Sequence, residues 1–135
     1  MQKKFDLKSK IQKLPSKPSK IQQEGIIYGQ FSKQNTIFTL TTLTGQVKTS
    51  VSNGMVGYKN SKSKTQFATQ AAAERLGQKA KALNFGSITF VIKGKNKGRK
   101  KCVKTFQKAG LKINMIYDQT PIIHNGCRPP KEPRR

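Results

Sequence analysis

A chain of 135 residues with 28 Lys and Arg against 5 Asp and Glu carries a formal net charge of +23, and that charge opposes compaction. Such a chain folds where an apolar core outweighs the self-repulsion, and a polyanionic partner is expected to relieve the rest. Hydrophobic residues make up 33% of the sequence and gather between Ile26 and Tyr117, room for one domain with one modest core. Nucleic acid is the expected partner class. A membrane-surface role requires a basic amphipathic helix with bulky apolar anchors, whereas this chain has no Trp and its apolar faces are committed to a core. No apolar run approaches the roughly 20 residues that span a bilayer, and no signal-peptide stretch is read. The two cysteines, Cys102 and Cys127, are too few and too far apart for a zinc site and point to a reducing compartment.

Residues 1–24 hold seven Lys, two acids and two prolines with scattered apolar residues, and read as a flexible basic arm that orders on a partner. From Gly25 the pattern changes. Ile26 to Ser32 and Thr36 to Leu43 are rich in β-branched and aromatic residues, and predict two strands joined by a turn at Gln34-Asn35. Thr44-Gly45 turns into a third strand from Gln46 to Ser52. Residues 53–64 read as a loop. Thr65 is placed to cap a helix to about Leu83, with Ala68, Ala72, Leu76, Ala80 and Leu83 at helical spacing and Gly86 as its stop. Ser87 to Ile92 is a nearly unbroken apolar run, the pattern of a strand buried on both faces. After Gly94 to Gly98 a short helix is expected from Arg99 to Ala109, stopped by Gly110, and then a last strand from Leu111 to Tyr117. The order βββαβαβ predicts a single α/β domain over residues 25–118, with parallel pairing of the two strands that follow helices. Residues 119–135 hold four of the six prolines and predict an extended basic tail.

Three basic segments are candidates for phosphate contact. Between Lys93 and Lys112 stand nine basic residues and no acid. Lys93, Lys95, Lys97, Arg99, Lys100, Lys101 and Lys104 lie on a glycine loop and the helix it opens, where close backbone approach and free N–H groups favour a phosphate backbone. The spacing is not that of a nucleotide P-loop. Lys59, Lys62 and Lys64 form a second candidate, with Tyr58 placed to stack on an unpaired base. The bland alternatives are a solvated helix face for the first and a mobile loop with Tyr58 on the core for the second. Arg128, Lys131, Arg134 and Arg135 form a third, on a proline-stiffened segment that orders at lower entropic cost. Asn125-Gly126 is either an ordinary tight turn or a site where the glycine nitrogen attacks the Asn side chain to give isoaspartate.

Catalysis is hard to build from one His and five acids, three of which (Asp6, Glu24 and Glu132) lie in the arm or tail. His124 with Cys127 is too sparse for a nucleophilic pair, and no carboxylate cluster for two-metal chemistry is present. No cofactor or metal is expected.

The string DQTPIIHNGCRPPK, Asp118 to Lys131, resembles the C-terminal signature of ribosomal small-subunit protein eleven. Phe31-Ser32 with Asn35-Thr36-Ile37 resembles the ASFNNTI strand pair of that family. Phe67-Ala68 with Ala71, Ala73, Glu74 and Arg75 resembles its PFAAQ-AAE helix, and Lys93, Gly94, Gly98 and Arg99 fall on its KGPGPGR loop. The resemblance runs from about residue 25 to the end. It implies a three-layer ribonuclease H-like fold, rRNA contacts in the platform near the mRNA exit and the rRNA 3′ end, and neighbouring platform proteins as partners. It also carries His124 and Asn125 into the RNA-binding set, makes Asn125 a candidate for isoaspartate, and implies no homo-oligomer. The chain departs from the family at Lys95 and Lys97, where prolines are usual, at Lys100, where an acid is usual, and at Ile123. With 23 Lys to 5 Arg, these departures suggest a mitochondrial ribosome, with a plastid or bacterial one as the alternative. A free nucleic-acid-binding protein and a nuclease are the competing functional readings; the missing carboxylates weigh against the second.

Overall fold

The computed structural model describes residues 23–96 and 98–132. The arm up to residue 22, Lys97, Arg134 and Arg135 therefore lie outside the described residues. Five strands and two helices follow the expected order: β1 Gln23–Phe31, β2 Thr36–Thr42, β3 Val47–Ser52, α1 Gln66–Ala82, β4 Phe85–Lys93, α2 Arg99–Lys108 and β5 Lys112–Asp118. The sheet order is β3-β2-β1-β4-β5. β1 pairs antiparallel with β2, β2 antiparallel with β3, and β4 parallel with both β1 and β5, so both crossover strands pair as expected.

Among the described residues there are two layers, the sheet and one layer of helices, where the resemblance implied three. Both crossovers, β3 to β4 and β4 to β5, step in the same direction along the sheet, and crossovers of one hand then deliver their helices to one face. On that face Ile27, Phe38, Leu40 and Phe90 meet Ala72, Ala73, Leu76 and Ala80 of α1 and Cys102 and Phe106 of α2 in one buried cluster. Phe106 stands edge-on to Phe38 and Phe90 at centroid distances of 5.6 and 5.4 Å, a favoured aromatic geometry. The small residues of α1 let it approach closely: a Cβ on Gly77 would stand 2.6 Å from that of Ala109.

The other face of the sheet is open, with Tyr28, Ile37, Met115 and Tyr117 exposed on it. Val91 is the exception, buried between its register neighbours Tyr28 and Tyr117. β4 is thus buried on its helix side, whereas on the open side only Val91 is buried and Ser87 and Thr89 are half-buried, short of the two-sided burial its apolar run predicts.

Three boundaries differ from expectation. β1 begins at Gln23, because parallel β4 offers Gln23 and Glu24 partners in Phe85 and Ser87. α1 ends before Asn84, which takes the left-handed conformation at φ 63°, and Gly86 lies inside β4. Residues 53–64 contain two short 3₁₀ turns, Gly54–Val56 and Asn60–Lys64. Thr65 caps α1 as expected, its hydroxyl accepting from the Ala68 N–H.

Candidate nucleic-acid interface

β1, β3, β4 and β5 run in one direction, so Phe31, Ser52, Lys93 and Asp118 all end at the same edge of the sheet. Crossover helices run back against their strands, so α1 and α2 begin at that edge. Neither has an acid in its first turn. The partial positive charge of both helix ends therefore adds to the charge of the loops between them.

The β1–β2 turn ties those loops together. Ser63 donates from its hydroxyl to the Gln34 carbonyl at 2.8 Å, fixing the 59–64 segment on one side. Asn96 donates from Nδ2 to the Ser32 carbonyl at 3.2 Å, fixing the 94–98 loop on the other. Beneath them Asn53, fully buried, donates to the Ser63 carbonyl at 2.7 Å, and the Thr36 and Thr69 hydroxyls share a hydrogen bond of 3.2 Å. These segments are positioned by polar contacts that run from the surface to the buried Thr36–Thr69 pair.

Gly94 opens the second loop at φ 100°, where a Cβ would run into the Phe31 carbonyl. Its N–H donates to the Thr120 hydroxyl at 3.0 Å, and the Gln119 N–H donates to the Ile92 carbonyl at 2.8 Å. The tail is rooted in the sheet through these two bonds. Arg99 forms an ion pair with Asp118. The Thr120 hydroxyl, then the Arg99 guanidinium, hold the Asp118 carboxyl down to about 2.

The expected basic cluster divides among several surfaces. Lys33, Lys95, Asn96 and Arg99 line one open depression at the edge. Lys100 joins Asn96, Arg99 and Val103 around a neighbouring one. Lys101 and Lys104 instead line the groove between the helices, with Gln70 and Lys108. Lys93 alternates with buried Ile92 and faces the open side of the sheet. Lys59, Lys62 and Lys64 are exposed around the 3₁₀ turn. Tyr58 is half-buried, its ring edge-to-face with Phe67 at 5.8 Å.

Two residues of this surface escape sequence reasoning. Lys33 is isolated in the sequence, and its place beside Lys95 follows from the pairing of β1 with β4. Phe67 is two-thirds exposed. The helical spacing of Ala68, Ala72 and Leu76 already set it off the inner face, which is the signal that could have found it.

Residues 119–132 contain no helix or strand, and residues 121–132 are exposed, including His124, Asn125, Arg128 and Lys131. Asn125 and Gly126 both have positive φ, 67° and 56°, and the Gly126 N–H donates to the His124 carbonyl at 2.9 Å, so the pair forms a tight turn.

Residues 25–135 match the family described as Ribosomal protein S11. The chain belongs to the ribosomal protein S11 family. It is 44% identical to the small ribosomal subunit protein uS11m of Prototheca wickerhamii over 83% of this chain and 88% of the relative. It is 40% identical to uS11c of Guillardia theta over 87% and 91%, and 36% identical to uS11 of Mycoplasmoides gallisepticum over 90% and 100%.

The S11 loop resemblance at Lys93, Gly94, Gly98 and Arg99 has a physical basis in this chain. Gly94 supplies the left-handed turn, Gly98 packs against Thr69, where a Cβ would stand 3.0 Å from its methyl group, and Arg99 is held by Asp118. Lys95, where the resemblance sets a proline, is exposed. Among the described residues no three His, Cys, Asp or Glu side chains gather where they could hold a metal. No described helix is long and apolar enough to cross a membrane. Burial pushes the Cys102 thiol up to about 12, which leaves it protonated and unreactive at neutral pH.

Proposed function

We propose that this chain is a structural, RNA-binding constituent of the small ribosomal subunit and not an enzyme. Membership of the S11 family carries the ribosomal role. The single structural observation that supports the RNA contact is the convergence of Lys33, Lys95 and Arg99 with two helix N-termini at one edge of the sheet. Lys59, Lys62 and Lys64 border that edge through the Ser63–Gln34 bond. Cations on loops of fixed shape neutralise phosphates and read the form of folded RNA more than its sequence.

In this reading the edge sits on rRNA in the platform, near the mRNA exit and the rRNA 3′ end, beside neighbouring platform proteins. The arm before Gln23 and the tail of residues 119–135 extend the contact, with His124, Asn125, Arg128, Lys131, Arg134 and Arg135 threading between RNA elements. The mitochondrial ribosome is the proposed compartment, supported by the excess of Lys over Arg and by likeness to the relative named uS11m.

Sedimentation of a tagged copy in high salt, with RNA sequenced from each fraction, tests the reading. One copy per small subunit, retained with its rRNA, is the expected result. Release into light fractions with mixed RNA would replace it with a free polyanion binder.

A further inference from the structure

We infer that Phe67, buttressed by Tyr58, is a stacking platform for one unpaired RNA base, set between the lysines of the 59–64 segment and the first turn of α1. This rests on the RNA-binding reading and adds a specific contact to it.

Phe67 occupies the second position of α1 and leaves 66% of its surface exposed, although the helix buries Ala68 beside it. A phenylalanine facing water at a helix start adds nothing to the core beneath. Its ring is nevertheless fixed: Tyr58 meets it edge-to-face at 5.8 Å with an interplanar angle of 83°. Tyr58 is itself set by its backbone, whose N–H donates to the buried Asn53 carbonyl at 3.2 Å. The segment before it is tied down by Arg75, which donates from Nη1 to the Met55 carbonyl at 3.1 Å. The aromatic pair is therefore pre-positioned, and a planar partner meets it at a lower ordering cost.

The surrounding charge selects the occupant. Lys59 follows Tyr58 directly, Lys62 and Lys64 occupy the 3₁₀ turn before Thr65, and α1 has no acid in its first turn. An exposed apolar ring next to a segment that carries three lysines matches a nucleotide, whose base offers a π face and whose phosphate offers charge. An apolar protein side chain would leave those lysines unpaired.

The test uses the full chain and a single-stranded oligouridylate of about twelve nucleotides with one central 2-aminopurine, whose fluorescence falls when it stacks. For the unaltered chain, salt-dependent binding with quenching is expected. Phe67→Ala should weaken binding roughly ten-fold, abolish the quench and leave the salt slope unchanged, because stacking releases no counterions. Phe67→Tyr should retain both affinity and quench. Lys62→Gln with Lys64→Gln should lower the slope and keep the quench. If Phe67→Ala matches the unaltered chain in affinity and quench while the lysine variant loses slope, the platform is refuted and the RNA-binding reading stands. If the unaltered chain shows no salt-dependent binding, both fall.

Discussion

The Arg99 guanidinium at the head of α2 and the Asp118 carboxylate at the end of β5 form an ion pair that joins the glycine loop to the root of the tail. It also ties one cation of the candidate interface to a carboxylate, so Arg99 positions the loop as well as charging it. Asp118 is held at about 2, whereas a carboxyl in an unfolded chain titrates near 3.9. The folded state thus binds this proton less readily, and the resulting stability is complete above about pH 4 and lost as pH falls through about 2. Acid unfolding of the unaltered chain should show this loss, and Asp118→Asn should remove it. Identical acid profiles for the two proteins would show the pair to be energetically silent. High salt should shrink the difference, as both partners are partly exposed.

The edge lysines have a quantitative signature. Changing Lys33, Lys59, Lys62, Lys64 and Lys95 together to Gln should lower the salt slope of RNA binding by about four units, at roughly 0.7–0.9 per lost phosphate contact. The same change at Lys101 and Lys104, in the groove between the helices, should cost less. Equal losses from the two sets would mean that RNA wraps the helices as well as the edge.

Two phenylalanines separate core from surface. Phe106→Ala removes the ring that meets Phe38 and Phe90 and should cost about 3–5 kcal/mol in chemical denaturation. Phe67→Ala should cost less than about 1 kcal/mol, since the ring is mostly solvated. A large loss at Phe67 would assign it to packing instead.

Where the tail is cut should matter. Ending the chain at Thr120 keeps the hydroxyl that accepts from Gly94, so the domain should melt as the intact chain does while small-subunit assembly fails. Ending it at Asp118 removes that acceptor and the Gln119 bond to Ile92, and should lower the melting temperature. Unfolding of the chain that ends at Thr120 would make residues beyond 120 part of the fold.

Thiol labelling under native conditions at pH 8 should modify Cys127, which is exposed, and spare Cys102, which is buried with its thiol pushed up to about 12. Mass spectrometry after labelling in denaturant should find both. Native labelling of Cys102 would show that the interface between α2 and the sheet opens.

The strands and helices were legible because their signals are local: β-branched runs, alanines at helical spacing, and Thr65 and Gly110 at element ends. The number of layers was not, because it depends on the direction in which β3, β4 and β5 are laid along the sheet. Asn84 took the stop expected of Gly86 because a short polar side chain tolerates positive φ, while Gly86 lies inside β4. The basic runs marked loops that the fold brings to one end of the sheet, yet they grouped Lys101 and Lys104 with Lys95 by sequence proximity. Lys33 joins Lys95 through strand pairing, which no count of charges along the chain reveals.

The common direction of β1, β4 and β5 has a metric consequence. Neighbouring strands in a sheet lie about 4.8 Å apart. The β1–β2 turn, the glycine loop and the tail therefore leave the domain at successive steps of a ruler whose divisions are backbone hydrogen bonds. A disordered chain of the same composition would bring the same charge to RNA without any graduation, and the sheet is what turns a quantity of charge into an interval.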